Sequence, residues 1–273
     1  MIAFVEFASI AVLLLHWALS PHRIQRGLES LAIAVGAFVG EEICLRLEGA
    51  YQYASGWHLF LDRMPVAVLL IWPSVVLSAR AVASLLTADP LERGLWAFAV
   101  VWLDASLVEP VATHAGLWSW NLPGPFHVAW VGPFGWGAYA LFAVWFIERE
   151  TPLLVPVAAP LLAQAVILAA HWGLGRWLGQ PEGVVELLAA LAPGIIATAV
   201  ASRVRSRVRL PLKEALARAA AAGLFVVLLA LRPDAELAVV FACVAVPYLL
   251  LLPPLQSVAS ASASDCRTVT GFW

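Results

Sequence analysis

Long apolar runs, interrupted by short polar segments, follow one another along almost the whole chain. Each run is close to the roughly 20 residues that an α-helix needs to cross the hydrocarbon core of a bilayer. The nine runs are Ile2 to Leu19, Leu28 to Leu47, Met64 to Ala88, Leu95 to Thr113, Phe126 to Ile147, Leu153 to Leu178, Val184 to Ala201, Ala215 to Leu231, and Leu237 to Leu252. The pattern predicts an all-α fold, a polytopic transmembrane helical bundle of about nine spans in which residues 1–256 form a single domain.

Basic residues are concentrated in a few of the segments between the predicted spans. The most basic segment follows the seventh span and carries Arg203, Arg205, Arg207, Arg209 and Lys213. Cytoplasmic loops are enriched in lysine and arginine, so this segment is expected on the cytoplasmic side. An odd number of spans precedes it, which places the N-terminus outside and the C-terminus in the cytoplasm. Residues 257–273 are predicted to form a disordered cytoplasmic tail.

Composition points to the same class of protein. The chain is 62% hydrophobic and 12% charged, with a mean hydropathy of +0.88, which is far more apolar than a soluble domain. We expect an integral membrane protein of a bacterial cytoplasmic (inner) membrane that contacts membrane lipids and no nucleic acid. Its three cysteines have neither an even count nor metal-ligand spacing, so the sequence predicts no disulfide framework and no metal site.

One arrangement of residues occurs twice: a glutamate near the end of an apolar run, a glycine seven positions later, and two aromatic residues separated by one residue. The copies are Glu42, Gly49, Tyr51 and Tyr53, and Glu109, Gly116, Trp118 and Trp120. Carboxylates in hydrocarbon usually mark a functional site, and the aromatic rings supply π faces that can hold a cation. The copies lie on the second and fourth spans, which run in the same direction, so a duplication would relate them by an axis along the membrane normal. The alternative is that the aromatic residues form an interfacial belt.

Several ionisable residues lie inside the predicted spans. Glu42 and Arg46 are four residues apart in the order that favours an ion pair within a helix, which leaves Glu41 freer to titrate. Asp104 lies near the bilayer midplane, and Glu109 lies roughly 7.5 Å further out along the same helix. A carboxyl group buried away from water favours its neutral form and can then act as a general acid. The alternative is that these acids pair with arginines and hold the bundle together.

Several chemistries are excluded by what the sequence lacks. Lys213 is the only lysine and lies in the cytoplasmic segment, so the bundle has no lysine for a retinal Schiff base. The sequence has no glycine-rich phosphate loop and no aspartate-rich repeat that would hold magnesium diphosphate. His114, at the outer end of the fourth span, either relays protons or caps a loop. Acid chemistry on an apolar substrate and proton-linked transport are the functions that remain.

At these residues the chain resembles the membrane-integral carotenoid hydratases of the CruF type. The first block of the family's pattern matches Glu41 or Glu42, Gly49, Tyr51, Tyr53, Pro65 and Trp72, and the second matches Asp104, Pro110, Ala112, Gly116, Trp118, Trp120, Pro133, Gly135 and Trp136. The resemblance covers approximately residues 40–140. The chain departs from the pattern at Pro133 and Phe134, where the family has an Asn-Phe pair.

The resemblance implies that water adds to the terminal double bond of an acyclic carotenoid end group. It implies a protonated carboxyl as the acid, with Asp104 and Glu109 as the acid and its partner and Glu41 as the base on the water side. The residues expected to bind the substrate are Tyr51, Tyr53, Trp72, Trp118, Trp120 and Trp136, and those expected to support the site are Glu42, Arg46 and His114. No cofactor is expected, because the addition is redox-neutral.

Three other functions fit the same residues. A carotenoid end-group cyclase would begin with the same protonation, but an internal double bond would capture the cation. A proton-coupled membrane transporter would also need buried acids. A non-catalytic protein that binds a lipid-soluble carotenoid would need only the apolar and aromatic surface. The sequence leaves the oligomeric state open.

Overall fold

The structure is a computed structural model, and it describes residues 1–18, 20, 22–121, 124–170, 184–204 and 208–252. These residues are mostly helical. The α-helices are α1 (Ile2–Ala18), α2 (Arg23–Ile43), α3 (Val66–Ser84), α4 (Pro90–His114), α5 (Val131–Glu148), α6 (Ala158–Ala170), α7 (Val184–Val204), α8 (Leu212–Leu231) and α9 (Ala235–Leu251). Each predicted span overlaps one of these helices, although Leu19 of the first span and residues 171–178 of the sixth lie outside the described residues. The predicted tail at 257–273 lies outside the described residues, as do Arg205 and Arg207 of the basic segment.

Three helices of the described residues are long and apolar enough to cross a membrane: α3, α4, and α8 over Glu214–Leu231. Four further apolar helices or helical segments are shorter, namely Ile2–Ala18, Ala158–Ala170, Leu191–Val204 and Ala235–Leu251. The structure therefore supports a helical chain with membrane-spanning helices, but fewer of them than the nine expected. In α2 the reason is its charge, because acidic and basic residues interrupt an otherwise apolar helix of sufficient length.

Helix α4 is the central helix of the bundle and packs against α3, α5, α7, α8 and α9. It begins at Pro90, where a missing backbone N–H is harmless, and the carboxylate of Asp89 accepts hydrogen bonds from the backbone N–H groups of Leu91 and Glu92, both at 2.9 Å. It continues as an α-helix through Pro110 to His114. The acidic positions of α4 therefore share one continuous helix.

The structure also contains short strands that an all-α prediction does not include. Strand β1 (Tyr51–Tyr53) pairs antiparallel with β4 (Trp118–Trp120), and β2 (Phe60–Leu61) pairs antiparallel with β3 (Met64–Pro65). The sequence signal for the first pair is the alternation of aromatic and polar residues, which has the period of a strand. We refer to the pair of β1 and β4 as the aromatic ribbon.

Each strand of the aromatic ribbon follows a helix that ends at a glycine. Helix α2 is extended by a π-helix (Cys44–Glu48), and the chain then turns at Gly49, whose φ is 58°. Helix α4 is followed by the same kind of turn at Gly116, whose φ is 74°. This left-handed conformation is strained for residues with a side chain, which explains glycine at both positions. Both helices thus deliver the chain to the same end of the bundle.

The opposite end of the bundle is held by ion pairs. Arg80 of α3 donates from Nη1 to Glu29 of α2 at 3.0 Å and from Nε to Glu148 of α5 at 2.6 Å. Arg93 of α4 also pairs with Glu148. Nearer the middle, the hydroxyl of Tyr139 donates to the backbone carbonyl of Ile33 at 2.6 Å, which ties α5 to α2. These contacts fix the helices from which the site is built.

Candidate active site

The aromatic ribbon places four rings on one side of a two-stranded sheet. Its register sets Tyr51 opposite Trp120 and Tyr53 opposite Trp118, and residues two apart in a strand face the same way. The ring centroids of Tyr51 and Trp120 are 4.8 Å apart, and those of Tyr53 and Trp118 are 5.9 Å apart. We call Tyr51, Tyr53, Trp118 and Trp120 the aromatic roof, because they cover the cavity described below.

Hydrogen bonds beyond the strands hold the ribbon to the helix ends. The backbone N–H of Asn121 donates to the carbonyl of Ala50 at 2.8 Å, and its side-chain amide donates to the carbonyl of Gly49 at 2.7 Å. At the other end of the ribbon, the backbone N–H of Ala54 donates to the carbonyl of Leu117 at 3.0 Å. The roof therefore has a fixed position above α2 and α4.

Glu109 projects from α4 beneath the roof, and only 3% of the residue is exposed. Its Oε2 atom accepts the indole N–H of Trp118 at 2.8 Å and that of Trp120 at 3.0 Å. An indole nitrogen can only donate, so the direction of both bonds is fixed. In the second copy of the repeat, Trp118 and Trp120 therefore orient the carboxyl group of Glu109 from the same copy.

Glu41 projects from α2 toward the same place and is also buried, with 8% of the residue exposed. Its carboxylate accepts a hydrogen bond from the hydroxyl of Tyr53 at 3.1 Å and another from the indole nitrogen of Trp72 at 3.2 Å. Tyr53 belongs to the roof and Trp72 to α3. The two acids are therefore oriented by the same chemical device, namely donors on aromatic side chains.

Glu41, and not Glu42 as the spacing in the sequence predicts, occupies the position that corresponds to Glu109. Counting back seven residues from the glycine selects Glu42 in the first copy, but the π-helix at Cys44–Glu48 takes more residues per turn than an α-helix. It thereby puts the preceding residue, Glu41, beneath the roof. Glu42 instead forms the expected ion pair with Arg46 at 2.6 Å, and Arg46 also pairs with Asp62.

Glu41 and Glu109 line a single cavity of about 80 Å³, which we call the acid cavity. The four residues of the roof line it as well, and so do Trp72 and Trp136, whose ring centroids are 4.5 Å apart. Among the described residues, no lysine, arginine or histidine lines this cavity. Without a cation, burial disfavours the charged form of a carboxyl group, so the acid cavity is suited to holding a proton on one of its acids.

One polar atom in the wall of the acid cavity is left without a partner. The side-chain amide nitrogen of Gln164, on α6, donates to the carbonyl of Gly40 at 3.1 Å and contacts the sulfur of Cys44 at 3.0 Å. The amide oxygen of Gln164 is buried and has no hydrogen-bond partner among the described residues. Buried acceptors are almost always bonded, often to an ordered water, and the cavity is several times larger than one water requires. This oxygen can accept a hydrogen bond from a water in the cavity that Glu41 also lines.

Asp104 does not lie with the other two acids. It lines a second cavity of about 430 Å³, which we call the long cavity, and it forms an ion pair with Arg218 of α8. The hydroxyl of Tyr248 donates to Asp104 at 2.7 Å, and Arg218 donates to the hydroxyls of Tyr248 at 2.6 Å and Ser78 at 3.0 Å. Glu109 lines the acid cavity and Asp104 does not, so the expected partnership of Asp104 with Glu109 is not what the structure shows.

The two cavities meet at a common wall. Val68, Trp118 and Trp136 line both of them. Trp118, which is hydrogen-bonded to Glu109, thus lies between the two cavities. The residues expected to bind the substrate, Tyr51, Tyr53, Trp72, Trp118, Trp120 and Trp136, all line the acid cavity.

The supporting residues lie outside it. Glu42 and Arg46 form an ion pair at the end of α2, and His114 is exposed. Nε2 of His114 lies 3.2 Å from the carbonyl oxygen of Arg232, and Arg232 donates back to the carbonyl of His114 at 3.2 Å. His114 thus caps the connection between α8 and α9.

Sequence reasoning missed Arg218, Tyr248 and Gln164. Arg218 did carry a signal, because an arginine within the alanine-rich run of α8 is a charged residue inside a predicted span, and such a residue usually pairs with a buried acid. Gln164 carried the weaker signal of one amide in the apolar helix α6. Tyr248 had no signal, because a tyrosine in an apolar helix is ordinary.

No protein-family model, no curated protein and no solved structure matches the chain. Its fold and site describe an apolar, mostly helical protein with a pair of buried carboxyl groups beneath aromatic rings.

Proposed function

We propose that this protein is a carotenoid hydratase, an integral membrane enzyme that adds water to the terminal double bond of an acyclic carotenoid end group. The observation that supports this most directly is that Glu41 and Glu109 line one apolar cavity beneath the aromatic roof. Such a site can donate a proton to an alkene and hold the resulting cation, which is the chemistry implied by the resemblance to the CruF-type hydratases. The lipid-soluble substrate reaches the site from the bilayer.

The proposal includes a topology of nine spans in a bacterial cytoplasmic membrane, with the N-terminus outside and the C-terminus in the cytoplasm. The basic residues beyond α7 support this orientation through the enrichment of arginine in cytoplasmic loops. The aromatic ribbon, at the opposite end of α4 and α8 from that segment, then lies toward the outer face. Water enters the acid cavity from that side.

In the first step, the carboxyl group of Glu109 donates its proton to the less substituted carbon of the terminal double bond. The π electrons form the new C–H bond and leave a tertiary carbocation on the neighbouring carbon. The faces of the roof and of Trp136 surround this position, and a desolvated cation–π contact is worth about 2 kcal/mol or more. The hydrogen bonds from Trp118 and Trp120 stabilise the carboxylate that remains on Glu109.

In the second step, a water beside Gln164 attacks the cation and forms the C–O bond of a tertiary alcohol. Glu41 accepts the proton that this water loses. The reaction leaves Glu109 deprotonated and Glu41 protonated, so a proton must return from Glu41 to Glu109 before the next turnover. Both carboxyl groups line the same cavity, so the proton returns within that cavity.

A specific feature favours hydration over cyclisation. A cyclase must keep water away from the cation until an internal double bond captures it. The buried amide oxygen of Gln164 and the two acids give this cavity polar groups that retain water. Water capture is therefore the expected fate of the cation.

The proposal is tested by expressing the protein in cells that make lycopene and measuring the mass of the extracted pigment. The wild-type protein is expected to give pigment that has gained one water per reacted end, and Glu109→Gln is expected to give none. Glu92→Gln, the same change at the exposed opposite end of α4, serves as the matched control and should behave as the wild type. An isomer of unchanged mass would show a cyclase instead. Unchanged pigment in membranes that contain the folded protein would contradict an enzyme and favour transport or binding.

A further inference from the structure

The long cavity extends along most of helix α8. Ala215, near the start of the helix, and Leu228, near its end, both line the cavity, and the helical rise between them is roughly 20 Å. At the ribbon end its wall includes Trp57 and Leu117, and at the other end it includes Leu210. The cavity is therefore a slot parallel to the helices rather than a compact pocket.

Small side chains on α8 create this slot. Ala215, Ala219 and Ala222 line it with the spacing of one helix face, and Gly223 lies beside them. A Cβ atom added at Gly223 would meet no atom within 4 Å. Only 17% of the apolar window of α8 is buried, compared with 61% for α3, so α8 lies at the edge of the bundle. Larger residues at these positions would close the slot, and the sequence has none.

The two cavities differ in what they can hold. At about 430 Å³ the long cavity lies within the range of roughly 300–1,000 Å³ that is typical of small-molecule sites, and the acid cavity, at about 80 Å³, is far below it. The acid cavity thus has room only for the end of a long molecule. The remainder of that molecule needs a second space beside the first, and the two cavities adjoin at Val68, Trp118 and Trp136.

The polar residues of the long cavity do not prevent an apolar chain from lying there. Ser78, Asp104, Arg218 and Tyr248 form hydrogen bonds to one another. Groups that satisfy one another in this way lose little when an apolar molecule excludes water from them. Three further polar residues, Ser9, His16 and Ser74, also line the cavity. The hydroxyl of Ser9 donates to the carbonyl of Val5 at 2.7 Å, and the buried hydroxyl of Ser74 has no hydrogen-bond partner among the described residues. The rest of the wall is almost entirely alanine, valine, leucine and aromatic side chains.

We propose that the long cavity binds the body of a linear polyisoprenoid chain in extended form, while the end of that chain passes Trp118 and Trp136 into the acid cavity. This inference rests on the proposed function, because it assigns the remainder of the same substrate to a second site. It also makes the length and straightness of the chain the basis of selection. A compact apolar molecule of equal volume does not match a slot roughly 20 Å long.

The test uses the full-length protein in lipid nanodiscs with lycopene as the probe, and it carries Glu109→Gln so that no turnover occurs. Binding is followed by quenching of tryptophan fluorescence and by the shift of the carotenoid absorption bands. Gly223→Leu fills the slot, and because leucine is a better helix former than glycine, we expect this variant to remain folded. We expect it to bind lycopene about tenfold more weakly, which corresponds to about 1.4 kcal/mol.

The matched control is Ala220→Leu, which enlarges an exposed residue of the same helix that does not line the slot. It should bind lycopene as the parent does. The inference is overturned if the parent does not bind lycopene, if Gly223→Leu binds it unchanged, or if both leucine variants weaken binding equally. Lycopene bound in the slot by a protein that gives no product in cells would instead overturn the proposed function alone.

Discussion

The indole nitrogen of Trp118 lies 2.8 Å from Oε2 of Glu109, so the ring that separates the two cavities also orients the acid of the site. Replacing Trp118 by phenylalanine keeps an aromatic face but removes the donor. A hydrogen bond to a charged group contributes about 1.5–3 kcal/mol, so we expect product formation to slow by roughly tenfold or more. The rate is measured as hydrated pigment formed per unit of membrane protein.

The control for this prediction is Trp17→Phe. Its indole nitrogen also donates one hydrogen bond, to the carbonyl of Arg23 at 2.9 Å, but the residue is exposed and lines neither cavity. This variant should retain the wild-type rate. If Trp118→Phe lost membrane protein in proportion to product, Trp118 would have a packing role only.

A second prediction separates Glu41 from its neighbour Glu42. The structure places Glu41 in the acid cavity, hydrogen-bonded to Tyr53 and Trp72, and places Glu42 against Arg46. Glu41→Gln should therefore abolish hydration, since glutamine cannot accept the proton that water releases. Glu42→Gln should leave it within a factor of about two, because a partly exposed ion pair is worth little. Both variants are compared by the mass of pigment from lycopene-producing cells. If Glu42→Gln abolished hydration and Glu41→Gln did not, Glu42 would be the counterpart of Glu109, as the spacing of the repeat predicts.

The same pair shows where reasoning from sequence succeeded and where it could not. Hydropathy located an apolar run on every described α-helix, because burial in a bundle or bilayer acts on whole segments. It overestimated the spans, since three of the described helices are long and apolar enough to cross a membrane. The repeat located the two helix ends and the aromatic residues that meet there. Spacing alone cannot reveal the π-helix at Cys44–Glu48. Because a π-helical turn contains an additional residue, Glu41 rather than its neighbour Glu42 lies in the acid cavity.

Asp104 shows a different limit. It occupies the same helix as Glu109, and five residues of helical rise make the two appear to be neighbours. Five residues also turn the helix by well over a full revolution, so the two side chains point in different directions and reach different cavities. The partners of Asp104 are Arg218 and Tyr248, which come from distant segments of the chain. A local sequence pattern cannot predict such contacts.

A third prediction concerns Gly132, at the start of α5. A Cβ atom added at this position would lie 2.7 Å from Cη2 of Trp120, which is closer than real side chains approach. Gly132→Ala should therefore displace the Trp120 ring from the aromatic roof and weaken its hydrogen bond to Glu109. We expect product formation to fall by roughly tenfold while the helices remain folded.

The matched control is Gly27→Ala in α2, because the nearest atom to the added Cβ there is 4.0 Å away. Alanine in a helix is favoured over glycine by up to about 1 kcal/mol, so this variant should be at least as stable as the wild type and equally active. Fluorescence of the tryptophans reports the displaced ring independently of product. Equal activity of both alanine variants would mean that the Trp120 ring is not needed where the structure places it.

The last prediction concerns Asp104 and Arg218, whose side chains are 23% and 13% exposed and which pair beside the long cavity. Removing one partner leaves a charge in apolar surroundings, so Asp104→Leu and Arg218→Met should each lower the free energy of unfolding by up to about 3–5 kcal/mol. The double variant removes both charges and should recover most of that loss, as a double-mutant cycle of thermal unfolding in detergent would measure. The same cycle on Glu42 and Arg46, where Arg46 is 49% exposed, should give a coupling near zero. If the losses at Asp104 and Arg218 simply added, the two residues would not act as a pair, and Asp104 would again be a candidate for the acid of the reaction.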